Sequence, residues 1–357
     1  MKNLPAAATL LILCFAAFAP THHAIDDAPL VSTFSIVAYD AATGDLGIAV
    51  QSKFPNVRPI VPWAKAGVGA VATQSFAEID YGVKGLVLME NGATAPEALE
   101  ILLAGDPNPE QRQVGMVDAE GNAATWTGEA CFAWAGGRVG QSGAAAVEVG
   151  PDDGGVGSVV SGHGYTAQGN ILVSEVTVQA MATAYESSEG ELSDRLMAAL
   201  IAGGEAGGDQ RGEQSAALLV VRAGAGYDGL DNFIDISVYD HETPIAELNR
   251  LYQLNNLYFT QSEPADMVPL TADIARELQQ IWTTRGFYDG PIDGEVDADF
   301  QSLLVDYMGW ENYDLRIAPV ASVNLSAGEP LMFDREVLAD IRSVFSEGRW
   351  KKKMNDE

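Results

Sequence analysis

TFSIVAYDAATGDLGIAVQS, residues 33–52, opens on an alternating run, turns at the Gly-bearing ATGD and returns through the apolar LGIAVQS. Two such runs on either side of a tight break predict a β-hairpin. It places the hydroxyl of Thr33 at the start of the first strand. Two readings of that hydroxyl stay open. Thr is an ordinary strand former. It is also a nucleophile if the chain is cut in front of it, because a freed α-amine then serves as its base.

The chain on either side bounds the problem. It has 357 residues, 37 of them Gly, with 47% hydrophobic residues, a globular composition with many tight turns. Fifty acidic residues against twenty basic give a formal charge of -30. Such a surface repels phosphate backbones and anionic lipid heads, which excludes nucleic acid as a partner. Residues 1–24 have the pattern of an export signal: Lys2, then the apolar LPAAATLLILCFAAFA, with cleavage after Ala19 or Ala24. The expected location is therefore periplasmic or extracellular. Leu13 is too bulky for the position before a lipidated Cys14, and an uncleaved anchor remains the alternative. No later apolar run reaches the ~18 residues of a membrane span. Removal of the leader leaves Cys131 alone, so no intramolecular disulfide is expected. Cys131, in EACFAWAGG, is read as a buried residue of a strand. Metal-ligand spacings, a P-loop and a dinucleotide fingerprint are absent, and no cofactor is expected.

Beyond the hairpin, AGVGAVATQSF is a further strand, and helices follow at YGVKGLVLMENG and TAPEALEILLAG, the second capped by Thr94. RQVGMVDAEGNAATWTG is a second hairpin with its tip at DAEGN, and residues 136–160 are Gly-rich with little pattern. NILVSEVTVQAMATAYES and ELSDRLMAALIAGG have helical spacing, EQSAALLVVRAG and NFIDISVYD are strands, and PIAELNRLYQLNNLYF is an amphipathic helix. Strands, helices, strands and a final helix fit an α+β fold with helices packed outside sheets. TQSEPADMVP contains the expected linker, residues 261–268, between a first domain at 32–260 and a second at 269–345.

TFSIVAYDAATGDLGIAVQSKF, VPWAKAGVGAVATQSFA, YGVKGLVLMENG, RQVGMVDAEG, AQGNIL, GGDQRGEQSAALLVV and VYDHETPIAELNRLYQL occur in this order. Together they resemble the bacterial DUF1028 family over about residues 32–260. The resemblance carries no established activity. It implies a fold similar to the N-terminal nucleophile (Ntn) hydrolases, a four-layer αββα sandwich. In such a site Thr33 attacks an amide carbonyl, its own α-amine takes the proton, and donors hold the oxyanion. Signal cleavage near Ala24 leaves IDDAPLVS in front of Thr33, so a second cut is required.

Several other residues are candidates. Lys65 lowers the pKa of a neighbouring amine if it lies close, by like charge. Ser52 and Lys53 sit where a strand leaves the sheet, and Gln74 is a potential oxyanion donor. In GGDQRGEQSAALLV, Asp209, Arg211 and Gln214 stand on a Gly-rich loop at a strand entrance. They fit a polar substrate, and an Asp–Arg pair that fixes the loop fits equally. Asn170, in HGYTAQGNIL, is a site candidate or the cap of the following helix. His163 is not assigned catalysis. Oligomerisation through sheet edges is a further possibility.

ELQQIWTTRGFYDGPIDGEVD and the helix after it resemble a peptidoglycan-binding-like module of about three helices. Leu278, Ile281 and Trp282 give one helix an apolar stripe, and ADFQSLLVDYMG supplies another. Peptidoglycan or a cell-wall peptide is the implied partner. Tyr288, Phe287, Trp310 and Tyr313 are candidate ligand aromatics, with core packing as their alternative. Asp289, Asp293 and Asp297 are assigned to turns and caps rather than calcium.

Overall fold

A computed structural model describes residues 33–142 and 144–351, without the side chain of residue 144. The leader read at 1–24 lies outside the described residues. In chain order the first half comprises β1 (Thr33–Tyr39), β2 (Leu46–Ser52), β3 (Pro62–Lys65), β4 (Gly69–Ser75), α1 (Asp80–Glu90), α2 (Ala95–Gly105), β5 (Arg112–Asp118), β6 (Asn122–Thr127), β7 (Gly136–Gln141), β8 (Ala144–Val149), β9 (Val159–His163) and β10 (Tyr165–Asn170). Then come α3 (Val176–Ser187), α4 (Leu192–Glu205), β11 (Ser215–Val221), β12 (Asn232–Val238) and α5 (Pro244–Phe259).

The strands form two sheets. One has seven strands in the order β12-β11-β2-β1-β10-β7-β8, and the other five in the order β3-β4-β5-β6-β9. Strand alternation explains the layering. On β1, Phe34, Ile36 and Ala38 face α3, α4 and α5, in a core with Met181, Leu196, Leu200, Leu248 and Tyr252. Val37 faces the other way and meets Val50, Ala70, Ala72 and Val117 between the sheets. The outer face of the smaller sheet, through Val71, Val114 and Met116, packs on Tyr81, Met89 and Leu99 of α1 and α2. The result is an α+β, four-layer αββα sandwich. Thr94 caps α2 through a capping box with Glu97, the local reason that helix starts where it does.

A second core belongs to β13 (Met267–Pro269), α6 (Ala272–Arg285), α7 (Ala298–Trp310), α8 (Ala318–Ala321), β14 (Met332–Asp334) and α9 (Arg335–Ser346). Leu278, Trp282, Leu304, Tyr307, Phe333 and Val337 fill it. The helical stripe expected around Trp282 is buried, and β13 and β14 pair into a small ribbon.

Three local expectations differ from the structure. Residues 129–135 form turns, and the strand starts at Gly136. The Gly-rich 136–160 region contains β7 and β8 and opens β9. Asn170 ends β10 rather than capping a helix, since α3 starts only at Val176. For β7, β9 and β10, pairing with a strand distant in sequence decided the outcome where local pattern was weak.

Candidate active site at the head of the central strand

Four strands bring one polar row to the same level. Thr33 pairs with Ser52 on one side and Asn170 on the other, and Ser52 pairs with Ser215. All four residues are fully buried. Their alternation class is that of Val37, Val50 and Ala217, so their side chains point between the sheets. Thr33 Oγ1 donates to Ser52 Oγ at 3.0 Å, and Ser215 Oγ accepts the N–H of Val57 at 3.1 Å.

The facing sheet answers with amides. Gln74 Nε2 donates to the Thr33 carbonyl at 3.2 Å and to Gln113 Oε1 at 2.8 Å. Asn170 Nδ2 donates to the same Gln113 oxygen at 2.9 Å. Gln113 Nε2 donates to Thr127 Oγ1 and to the carbonyls of Gly136 and Gly169. Behind it, Thr166 donates to Gln168 Oε1, Gln168 to Ser35 Oγ, and Ser35 to Gln74 Oε1 at 2.6 Å. The donors of this chain all run one way, towards Thr33 and Gln113, so each bond polarises the next. Gly115 permits it: a Cβ there would fall 2.4 Å from Gln168 Oε1. The space between the sheets is thus apolar at one end and built of hydroxyls and amides at the other. Buried polar groups in this number persist only when they satisfy one another.

The backbone at this end is also unusual. Ser75 and Ile171, the residues just after Gln74 and Asn170, both take positive φ, 68° and 54°. Non-Gly residues rarely do so, and such positions gather at functional sites. Cys131 lies beside Ser75, half-buried, with its thiol donating to the Arg112 carbonyl. Burial pushes that thiol's pKa up, which keeps it protonated and a poor nucleophile.

The sequence candidates divide by place. Thr33, Ser52, Gln74 and Asn170 meet in the polar row or against it. Lys53 lies just past the end of β2, and its Nζ donates to the Glu213 carbonyl at 3.0 Å. Asp209 and Arg211 stand on the neighbouring loop, joined by a 3.3 Å ion pair. Asp209 also accepts the Arg211 N–H at 2.8 Å, and Arg211 reaches the Lys53 carbonyl at 3.5 Å. That arrangement fixes the loop. Gln214 donates to Asp240 at 2.8 Å. Glu213, on the same loop, bonds the Ile245 N–H at the start of α5; burial raises its carboxyl pKa and that bond opposes the rise.

Lys65 is not brought to the others. It pairs with Gly69, at the opposite end of β4 from Gln74, about 17 Å along a strand that rises ~3.3 Å per residue. There it is exposed and ion-paired to Glu90 at 2.5 Å. His163 lies at that far end too, opposite Asn122. Tyr288 belongs to the second core and donates to the Pro291 carbonyl. Tyr313 is 1% exposed and stacks on Tyr258, whereas Trp310 stays 56% exposed against Phe287. Asp297 caps α7 and Asp293 accepts the Glu295 N–H. Gln113 was not singled out from sequence. The one available signal was an amide on the inward face of RQVGMVD, in register with Val117.

The family model described as "Family of unknown function (DUF1028)" matches residues 33–150 and 139–248, more than half of the chain. The chain belongs to the DUF1028 family. A DUF1028 protein from Silicibacter pomeroyi, known by crystal structure, is 26% identical to this chain, with a TM-score of 0.52. The match covers 63% of this chain and 89% of that one. The polar row and its facing amides lie entirely inside the DUF1028 match. The remainder includes residues 258–326, which match the model "Putative peptidoglycan binding domain". No curated protein matches.

Proposed function

We propose that this DUF1028 protein is an exported, wall-associated amide hydrolase whose nucleophile is Thr33. The observation that carries this reading is the Thr33–Ser52 hydroxyl pair, 3.0 Å apart at the head of the central strand, facing a wall of amide donors. A cut in front of Thr33 turns its amide nitrogen into a free amine with an ordinary pKa of ~7.7–8.0. Thr33 Oγ then attacks the substrate carbonyl and passes its proton to that amine. The amine protonates the leaving nitrogen as the C–N bond breaks, and water hydrolyses the acyl ester. Asn170 Nδ2 and Gln74 Nε2 are bonded to Gln113 Oε1, and in this reading they exchange that bond for one to the oxyanion as it forms. The loop bearing Asp209 and Arg211, with Lys53, forms the rim over which a polar substrate enters. The peptidoglycan-binding-like module supports wall peptides as the substrate class.

The test is amine release from purified sacculi by the mature protein and by Thr33→Ala. Release by the first alone supports the proposal; equal release by both, or by neither, removes it.

A second reading has its own observation. Thr33 is fully buried, and its network already uses its donors within the protein. In the uncut chain this makes the sandwich a non-catalytic scaffold that presents the module to the wall.

A further inference from the structure

We propose that the cleft between the far end of the seven-stranded sheet and the C-terminal helices is a second binding site, for a ligand carrying a primary amine on an alkyl chain. The cleft measures about 560 Å³, within the ~300–1,000 Å³ of small-ligand sites, which gather at such junctions. It is remote from Thr33. Arg222, on its wall, directly follows Val221, which pairs with Leu46, whereas Ser215 pairs with Ser52 beside Thr33. Six residues of strand separate the two levels, about 20 Å.

The walls are held in advance. Arg316 is 3% exposed and clamps the end of α5, donating to the carbonyls of Asn256 and Leu257 and to Thr260 Oγ1. It also pairs with Asp334 at 2.6 Å. Tyr258 stacks on Tyr313 at 5.3 Å, and both hydroxyls donate to Asp340. On the sandwich side, Tyr252 donates to Asp194 at 2.6 Å. A ligand therefore meets a preformed cleft and bears little ordering cost.

The chemistry of the lining selects the ligand. Five carboxylates and the two guanidiniums of Arg222 and Arg316 line the cleft; Glu191 is paired to Arg222, Asp194 accepts from Tyr252 and Asp266 is paired to Arg335, which leaves Glu263 and Glu336 to meet a cation. Neither guanidinium is left for an anion. Arg222 makes two 2.6 Å bonds to Asp45, pairs with Glu191 and lies over the Phe233 ring; Arg316 is spent on the clamp. Glu336 makes a long 3.4 Å contact to Arg316 and is half exposed, and Glu263 is exposed. Beside these carboxylates, Phe259 and Leu315 stay 52% and 46% exposed. Large apolar side chains left uncovered inside a charged junction are an independent sign of a contact surface. A short alkyl chain covers them, and its ammonium meets the carboxylates and the Phe259 ring.

The probe is chosen on the wall-association reading: Nα-acetyl-Lys-D-Ala-D-Ala, which has a free side-chain amine, and its Nε-acetylated form. Both are titrated calorimetrically into the full chain. The free-amine probe is expected to bind, and acetylation to weaken binding at least tenfold. Glu263→Gln/Glu336→Gln is expected to weaken the free-amine probe by a similar factor. Phe259→Ala, outside the Arg316 clamp, is expected to weaken both probes, and it serves as the deciding variant if the double substitution lowers the melting temperature. Equal binding of the two probes, no binding, or unchanged binding by the folded variants overturns the proposal. Thr33→Ala is expected to bind normally, so loss of turnover and loss of cleft binding are separate outcomes. Sacculus binding with a silent cleft leaves the wall reading standing and this proposal overturned.

Discussion

Asn170 Nδ2 and Gln74 Nε2, from opposite sheets, donate to one acceptor, the side-chain oxygen of Gln113, at 2.9 and 2.8 Å. Gln113 is thereby the hub that joins the two sheets at the Thr33 end. Truncating it takes one acceptor from two donors and one donor group from three acceptors, Thr127 Oγ1 and the carbonyls of Gly136 and Gly169.

Gln113→Leu is therefore expected to destabilise the protein by about 3 kcal/mol or more, since each buried polar group left without a partner costs roughly 1–3 kcal/mol. Denaturant unfolding measures it. A loss below about 1 kcal/mol would show that the network relaxes around the gap.

Gln51 is the converse case. It is fully buried, and neither of its amide atoms has a hydrogen-bond partner among the described residues. Gln51→Met keeps the shape and removes the polar cost. It is expected to stabilise by about 1 kcal/mol, read as a shifted denaturation midpoint at constant slope. A destabilised variant would contradict the burial account.

Arg316→Ala is expected to separate the two cores. It removes the clamp on α5 and leaves Asp334, 1% exposed, without its cation. Breaking a buried pair from one side costs about 3–5 kcal/mol. Calorimetry is expected to show the C-terminal helices melting ahead of the sandwich. A single unshifted transition would contradict the clamp.

Acid sensitivity has a named source in the sandwich. Burial raises the pKa of Asp106, but the Arg112 guanidinium, the Asn108 N–H and the Tyr81 hydroxyl outweigh it and hold the carboxyl below its usual value. A depressed carboxyl contributes stability that is fully present above its unfolded pKa of ~3.9 and is lost as pH falls through the folded value. Melting temperature is expected to drop below about pH 4, and Asp106→Asn to start lower and flatten that drop. An equally steep drop in the variant would place the acid response elsewhere.

The legible parts of this chain were those whose signals are local. The hairpin at 33–52 follows from its period and its Gly44 break, and α2 follows from Thr94 and Glu97, three residues apart. The Trp282 stripe needs only helical spacing. The strands through Gly136, Gly137 and Gly162 left no such trace, because glycine there serves close approach to distant backbone rather than a period. The site was half legible for the same reason. Thr33, Ser52 and Gln74 stand at strand ends, where polar residues draw notice. Gln113 becomes visible only once register puts it opposite Asn170, and Lys65 is discounted only once register puts it at the wrong end of β4.

The central claim, that Thr33 becomes a free N-terminal nucleophile, is tested most directly by the intact mass and N-terminal sequence of the mature protein from its native host. The account predicts a chain that begins at Thr33. A mature chain that begins upstream, with the Thr33 nitrogen still in an amide, would contradict it.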